Sequence, residues 1–149
     1  VRTQAELKGV AGTKGNLLSL AFSPDGKLLA GGYRDTAWVW EIPSGQTRAV
    51  LKSRNANALG HVAFSPDGKT LITSGTDGWV ELWNVASGRV VLTARSPLNL
   101  ATLAFFSPDG NTLAVANRPA AMSNPFVKIL QAGTLADIDA EIRSEGAAR

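Results

Sequence analysis

A five-residue motif that recurs at a fixed period is the feature of this sequence that most restricts its fold. Phe-Ser-Pro-Asp-Gly occurs at residues 22–26, 64–68 and 106–110, so neighbouring copies are 42 residues apart. Self-similarity at such a period indicates a repeat architecture, in which each repeat is one supersecondary unit. A single unit cannot bury its apolar faces alone, so neighbouring units have to stack on one another. We therefore expect a row of stacked, similar units.

Each copy of the motif lies in the same order of strand and turn signals. Alternating apolar residues precede it, and Ser-Pro-Asp-Gly favours a tight turn because proline presets φ and glycine accepts the conformation that restarts a strand. Val, Leu, Thr and Trp at period two then predict three more strands. These strands are expected at 27–32, 37–40 and 47–52 in the first unit, and at 69–74, 80–83 and 89–94 in the second. Each unit therefore predicts a four-stranded antiparallel meander.

The length and strand count of this meander match one blade of a β-propeller. The first 130 residues show no helical periodicity, so the fold class is all-β. We expect one propeller segment over 1–149, with a leading outer strand at 3–8 and blades at 12–53, 54–95 and 96–142. Propellers close with four or more blades, so the segment is a partial propeller whose open ends need further blades. The start at Val1 favours a piece of a longer propeller, with ring closure by several copies as the alternative.

Composition excludes several kinds of function. The chain has no cysteine, which excludes disulfides and thiolate metal sites, and one histidine, which excludes a multi-histidine metal site. We therefore expect no metal and no cofactor. The 15 Lys and Arg residues are spread thinly against 12 Asp and Glu, a pattern that argues against a specific nucleic-acid partner. No apolar run approaches the roughly 20 residues of a membrane span and no signal-peptide pattern opens the chain, so we expect no membrane partner and, by default, a cytoplasmic location.

The repeats resemble the WD-repeat β-propeller family over nearly the whole chain. Thr73, Asp77 and Trp83 lie where that family places a strand Ser/Thr, a turn Asp and a third-strand Trp, and Asp35 and Trp40 match in the first unit. The Phe-Ser-Pro-Asp-Gly turn is similar to the family's commonest form, especially in bacterial members. The resemblance implies a structural set made of these five residues and the motif phenylalanines Phe22, Phe64 and Phe106.

The departures from the family pattern concern its buried hydrogen-bond network. The family's Gly-His pair is missing, because Gly12-Thr13 and Arg54-Asn55 stand in its place. The name-giving Trp-Asp pair reads Trp40-Glu41, Trp83-Asn84 and Leu130-Gln131. The network is therefore expected to be incomplete in every blade, and packing is expected to carry more of the stability.

No catalytic set is predicted. His61 lies in an apolar alternating strand, where a lone histidine is usually structural, and no nucleophile–base–orienter arrangement is indicated. The three aspartates of the repeated motif are interpreted as turn formers. The inner-strand ends, where propeller enzymes place acidic or histidine residues, are mostly apolar here, so a propeller enzyme is the least favoured alternative.

Two sets of loops are expected on one rim of the propeller. They are the turns between second and third strands and the connections into the next blade. The family resemblance makes this rim the partner-binding face, and loops on a rigid scaffold usually carry function. The partner-binding rim comprises Tyr33, Arg34, Arg54, Asn55, Asn57, Thr76, Trp79, Arg118 and Met122. Trp38 and Trp79 are either exposed anchors for a partner or covers for an open blade face.

The predicted function is a non-catalytic protein–protein interaction scaffold, within a larger propeller or a multidomain regulatory protein. The partners are then other proteins, or further blades from the same chain or from a homo-oligomer. The alternative is a self-assembling fragment that closes a ring by oligomerisation.

Overall fold

The computed structural model of the chain describes residues 17–95, 102–117 and 127–131. All regular structure in these residues is β-strand, which confirms the all-β class. In chain order the strands are β1 (Leu17–Phe22), β2 (Leu28–Tyr33), β3 (Thr36–Glu41), β4 (Thr47–Lys52), β5 (Leu59–Phe64), β6 (Thr70–Gly75), β7 (Trp79–Asn84), β8 (Arg89–Arg95), β9 (Thr102–Phe106), β10 (Thr112–Asn117) and β11 (Val127–Gln131).

The strands form three antiparallel meanders, which we call blades 1, 2 and 3. Blade 1 has the strand order β1-β2-β3-β4 and blade 2 the order β5-β6-β7-β8, so the predicted four-stranded meanders are confirmed. Blade 3 pairs β9 with β10 and β10 with β11. The leading strand at 3–8 and the last strand of the third unit lie outside the described residues.

The repeated motif forms the same turn in all three blades. Ser65 Oγ donates to Asp67 Oδ1 at 2.6 Å and accepts from the backbone N–H of Thr70 at 2.9 Å. Gly68 takes a φ of 70°, which favours glycine. Two hydrogen bonds hold the pKa of the Asp67 carboxyl below its usual value. The Ser65 hydroxyl makes the larger contribution and the backbone N–H of Lys69 the smaller one. The motif aspartates are therefore turn formers, as predicted.

The turns of neighbouring blades also lie against one another. A Cβ on Gly68 would stand 3.6 Å from Cδ of Pro24, and a Cβ on Gly110 would stand 3.6 Å from Cδ of Pro66. The proline of each turn therefore packs against the glycine of the turn in the next blade. One sequence motif both reverses the chain and sets the spacing of adjacent blades at that end.

The apolar core lies between the blades in two clusters. Strand β7 shows how one strand serves both, because its alternate side chains point to opposite faces. Trp83 packs toward blade 1, whereas Val80 and Leu82 pack toward blade 3. The first cluster contains Ala30, Ala37, Val39, Leu51, Ala56, Leu59, Val62, Leu71, Trp83 and Val85, and the second contains Ile72, Val80, Leu82, Leu92, Ala104, Leu113 and Val115.

Phe22 differs from the other two motif phenylalanines of the structural set. Phe64 and Phe106 each pack against a core cluster, but Phe22 is 64% exposed. Its neighbours Leu18 and Leu20 on the same face of β1 are also exposed. The physical reason is that, in the part of the chain that the structure describes, no further sheet covers this face of blade 1.

Within the described ranges, no helix has the length and apolarity that crossing a bilayer requires.

Candidate functional site

The turn between β2 and β3 and the connection between β4 and β5 are fastened to each other by backbone hydrogen bonds. The carbonyl of Asp35 accepts from the N–H of Ser53 at 2.7 Å, and the carbonyl of Arg34 accepts from the N–H of Leu59. Arg34 has a φ of 50°, a left-handed conformation that few non-glycine residues adopt. The two predicted rim loops of blades 1 and 2 therefore meet at one place.

A cavity of about 630 Å³ lies where these loops meet. We call it the rim cavity, and its lining residues are Tyr33, Arg34, Asp35, Ser53, Arg54, Ala56 and Asn57. Four residues of the predicted rim are therefore brought together: Tyr33, Arg34, Arg54 and Asn57.

The charge of the rim cavity is positive. Asp35, its one acidic lining residue, pairs with Nζ of Lys52 at 3.6 Å. Arg34 and Arg54 are exposed and form no ion pair with any described residue. A guanidinium presents several N–H donors in a planar fork that matches a carboxylate. The cavity can therefore bind an anionic group with two arginines.

Hydrogen bonds hold the β4–β5 connection, which forms part of the cavity lining. Ser53 Oγ accepts from the N–H groups of Asn55 at 3.2 Å and Ala56 at 2.8 Å. Across the blade boundary, Asp77 Oδ2 accepts from the N–H of Asn57 at 3.2 Å, and the carbonyl of Ala58 accepts from the N–H of Thr76 at 2.9 Å. The β4–β5 connection is thus held from both blades, and Asp77 supplies one of these contacts.

Trp38 and Trp79, which were expected either to anchor a partner or to cover a blade face, are half-buried. Trp79 packs against the first core cluster, and the guanidinium of Arg95, its partner across the β7–β8 pair, lies 5.1 Å from its ring centre. Trp38 stacks on the fully buried Trp40 with ring centres 6.4 Å apart. Neither lines the rim cavity. Trp79 is therefore partly a cover of the core, with one face occupied by Arg95.

Part of the family's hydrogen-bond network is present in blade 2. Trp83 Nε1 donates to Thr73 Oγ1 at 2.9 Å in a buried environment. In blade 1 Gly31 replaces the threonine, and a Cβ there would come within 2.9 Å of the Trp40 ring. The two blades therefore hold equivalent tryptophans in different ways.

Of the remaining rim residues that the structure describes, Thr76 and Asn55 do not line the cavity. Thr76 is exposed on the β6–β7 turn of blade 2. Asn55 turns away, and its Nδ2 donates to Oε1 of Glu81 at 3.0 Å. Arg118 and Met122 lie outside the described residues.

Glu81 is a residue that the sequence reasoning missed. Its side chain is only 2% exposed, although glutamate is rarely buried to this extent in a protein. The burial of Glu81 could have been predicted from the alternation of side chains along β7. Glu81 alternates with Val80 and Leu82 and shares a face with Trp83, so it had to point into the space between blades 1 and 2.

His61 contacts the neighbouring blade. Its Nε2 lies 3.0 Å from the carbonyl oxygen of Ala104, and its ring centre is 4.6 Å from that of Phe105. Burial lowers the pKa of His61, and the Ala104 carbonyl opposes that shift only in part. No serine or aspartate among the described residues hydrogen-bonds to the imidazole, so the geometry is that of an interblade contact. Within the described ranges, no three His, Asp or Glu side chains come close enough to hold a metal ion.

Comparison with known families identifies the repeats. The family model of the WD domain, G-beta repeat, matches residues 4–41 and 45–84, which is more than half of the chain. A WD repeat-containing protein of Synechocystis sp. is 35% identical over 97 residues, covering 64% of this chain and 28% of that protein. The periodic tryptophan protein 2 homologue of Schizosaccharomyces pombe is 36% identical over 90 residues, covering 60% of this chain and 10% of that protein. The chain therefore spans less than a third of the length of these relatives.

Among solved structures, hydrazine synthase of Kuenenia stuttgartiensis superposes with a TM-score of 0.68 over 80% of this chain and 34% of that one. The sequence identity is 22%, so this likeness concerns the fold alone.

Proposed function

We propose that this chain, which belongs to the WD-repeat family, is a non-catalytic protein-interaction module that receives its partner at the rim cavity. The observation that carries the proposal is the convergence of Tyr33, Arg34, Arg54 and Asn57, from loops of two blades, on one cavity. Loops fixed on a stacked β-scaffold present side chains with little conformational freedom to lose on binding.

The chemistry of the cavity favours an acidic partner segment. Arg34 and Arg54 are exposed and unpaired among the described residues, whereas Asp35 is already paired with Lys52. Arginine is enriched among the residues that dominate interface energies, and bidentate pairs with carboxylates fix orientation as well as adding affinity. Backbone and hydroxyl groups around Ser53 hold the loops in place, so binding needs little rearrangement.

A selection experiment tests this proposal. We expect peptides selected from a random displayed library on the wild-type chain to be rich in Asp and Glu, and to bind the R34A/R54A double variant about tenfold or more weakly. R48A is the matched control, because Arg48 is an exposed arginine on β4 that does not line the cavity. Selected peptides without acidic residues, or equal binding by the double variant, would contradict the proposal.

Association of blades is the second candidate function, and a different observation favours it. Leu18, Leu20 and Phe22 are exposed on one side of blade 1, and Val127 and Ile129 are exposed on β11 of blade 3. Apolar surface of this kind marks a contact face. We propose that further blades pack there, from the same protein or from a second copy. Sedimentation of the chain separates the cases, because a 15.6 kDa particle excludes self-association and a dimer or trimer supports it.

A further inference from the structure

A second cleft lies next to the rim cavity, and its floor contains a buried carboxylate. The cleft has a volume of about 550 Å³ and is lined by Glu81 and Trp83 from β7, with Lys52, Arg54 and Arg89 among its other lining residues. We call it the Glu81 cleft. It is formed between blades 1 and 2, on the side of β7 that faces blade 1.

Glu81 is short of hydrogen-bond donors. Its Oε1 accepts from Nδ2 of Asn55 at 3.0 Å, but its Oε2 is buried and has no partner among the described residues. An ionised carboxylate has about four acceptor positions, and leaving a buried charge with one neutral donor is costly. A charged donor placed on Oε2 would therefore gain more here than at the surface.

The cations of the cleft do not supply that donor. Lys52 pairs with Asp35, and neither Arg54 nor Arg89 comes within ion-pair distance of Glu81. The fold does not require the carboxylate either, because the equivalent position of blade 1 is Trp38, which faces Gly31 as Glu81 faces Thr73. The packing of the blades therefore does not need the acidic group, and its Oε2 has no partner among the described residues.

We propose that the Glu81 cleft binds a lysine side chain of a peptide segment whose neighbouring residues are acidic. The ammonium displaces the neutral amide of Asn55, whose side chain is exposed on the β4–β5 connection, from Oε1 of Glu81. Its three N–H donors then serve both carboxylate oxygens, including Oε2, which has no partner among the described residues. The flanking carboxylates meet Lys52, Arg54 and Arg89 at the mouth, which would repel a lysine peptide without them. The expected ligand therefore places one lysine side chain inside the Glu81 cleft and its neighbouring carboxylates at the mouth of the cleft.

The first test compares three short peptides on the wild-type chain by calorimetric titration. We expect acetyl-Gly-Asp-Lys-Asp-Gly-amide to bind about tenfold or more tightly than the same peptide with norleucine for lysine. The acidic lysine peptide should also bind more tightly than acetyl-Gly-Gly-Lys-Gly-Gly-amide, because basic residues line the mouth of the cleft. Equal binding of the lysine and norleucine peptides would overturn the proposal without any variant having to fold.

The second test uses variants with opposite expected effects. E81Q removes the charge and should lose the preference for lysine over norleucine, whereas N55A removes the competing donor and should bind the lysine peptide at least as tightly as the wild type. R48A is the control, because Arg48 is an exposed arginine that lines neither cavity. The preference for lysine over norleucine is read separately from acidic-peptide binding at the rim cavity, so failure of the rim proposal is distinguishable from failure of this one. An E81Q chain that keeps the lysine preference, or an N55A chain that no longer binds, would contradict the exchange of donors.

Discussion

Blades 1 and 2 carry the same motif and the same strand order, yet they differ in what covers them. Among the described residues, blade 2 has a core cluster on each face, whereas blade 1 has one only on the face toward blade 2. Phe64 is accordingly packed and Phe22 is 64% exposed, although the two residues are identical in sequence context. A repeat residue thus acquires its role from the neighbouring blade, and the repeat sequence alone does not assign it.

The largest expected effect separates the two faces directly. Leu71 is fully buried between blades 1 and 2, so Leu71→Ala should lower the free energy of unfolding by about 2–5 kcal/mol through lost contacts and a cavity. Leu20 is 54% exposed on β1, and Leu20→Ala should change it by less than about 0.5 kcal/mol. Urea unfolding of both variants measures the difference. A large loss from Leu20→Ala would mean that the outer face of blade 1 is covered.

The second prediction concerns how each blade holds its tryptophan. Thr73→Val leaves the buried Nε1–H of Trp83 without its acceptor, which should cost about 1–3 kcal/mol of stability. Thr70→Val on the same strand is the control for the substitution itself, since the Thr70 hydroxyl has no such contact with Trp83. An unchanged urea midpoint for Thr73→Val would show that the hydrogen bond adds nothing.

The converse change in blade 1 sharpens the comparison. Gly31→Thr restores the residue type that the family pattern has at this position, yet a Cβ there would come within 2.9 Å of both the Trp40 ring and Leu17. We therefore expect a loss of about 1–3 kcal/mol through overpacking, measured by the same urea unfolding. Stabilisation by Gly31→Thr would show that the two blades hold their tryptophans alike.

The sequence could predict those features of the fold that depend on residues close together in the chain. The turns and strands depend on Pro, Gly and period-two patterns within a few residues, and they lie within about one residue of their expected bounds for β2, β3, β6 and β7. The meeting of Tyr33 and Arg34 with Arg54 and Asn57 was also predictable, because loops at one end of stacked blades share a rim.

The features that sequence reasoning missed depend on register and neighbours. The contact of Arg95 with the Trp79 ring needs the β7–β8 pairing, which places these residues opposite each other. The burial of Glu81 needs the position of blade 1, since a glutamate between two apolar residues resembles an ordinary surface position. Long-range placement, rather than local propensity, decides both.

The smallest expected effect is a pH dependence at the boundary of blades 2 and 3. Burial lowers the pKa of His61 below the usual histidine value of 6.5, so the folded chain binds this proton less readily than the unfolded chain. Stability from this group is therefore fully present above pH 6.5 and declines as the pH falls through that value toward the folded-state pKa. The His61→Phe variant should lack this decline in stability, which is measured by comparing urea midpoints of the two chains above and below pH 6.5. An identical pH profile in the variant would remove the role assigned to His61.

The most direct test of the interaction proposal is to locate the bound peptide on the chain. An acidic peptide selected on the wild type is titrated into ¹⁵N-labelled chain while backbone amide chemical shifts are recorded. We predict that the largest shifts fall on residues 33–35 and 53–57, which line the rim cavity, and that they disappear in the R34A/R54A variant. Largest shifts on β1, around Leu18, Leu20 and Phe22, would contradict this account and place binding on the open face of blade 1.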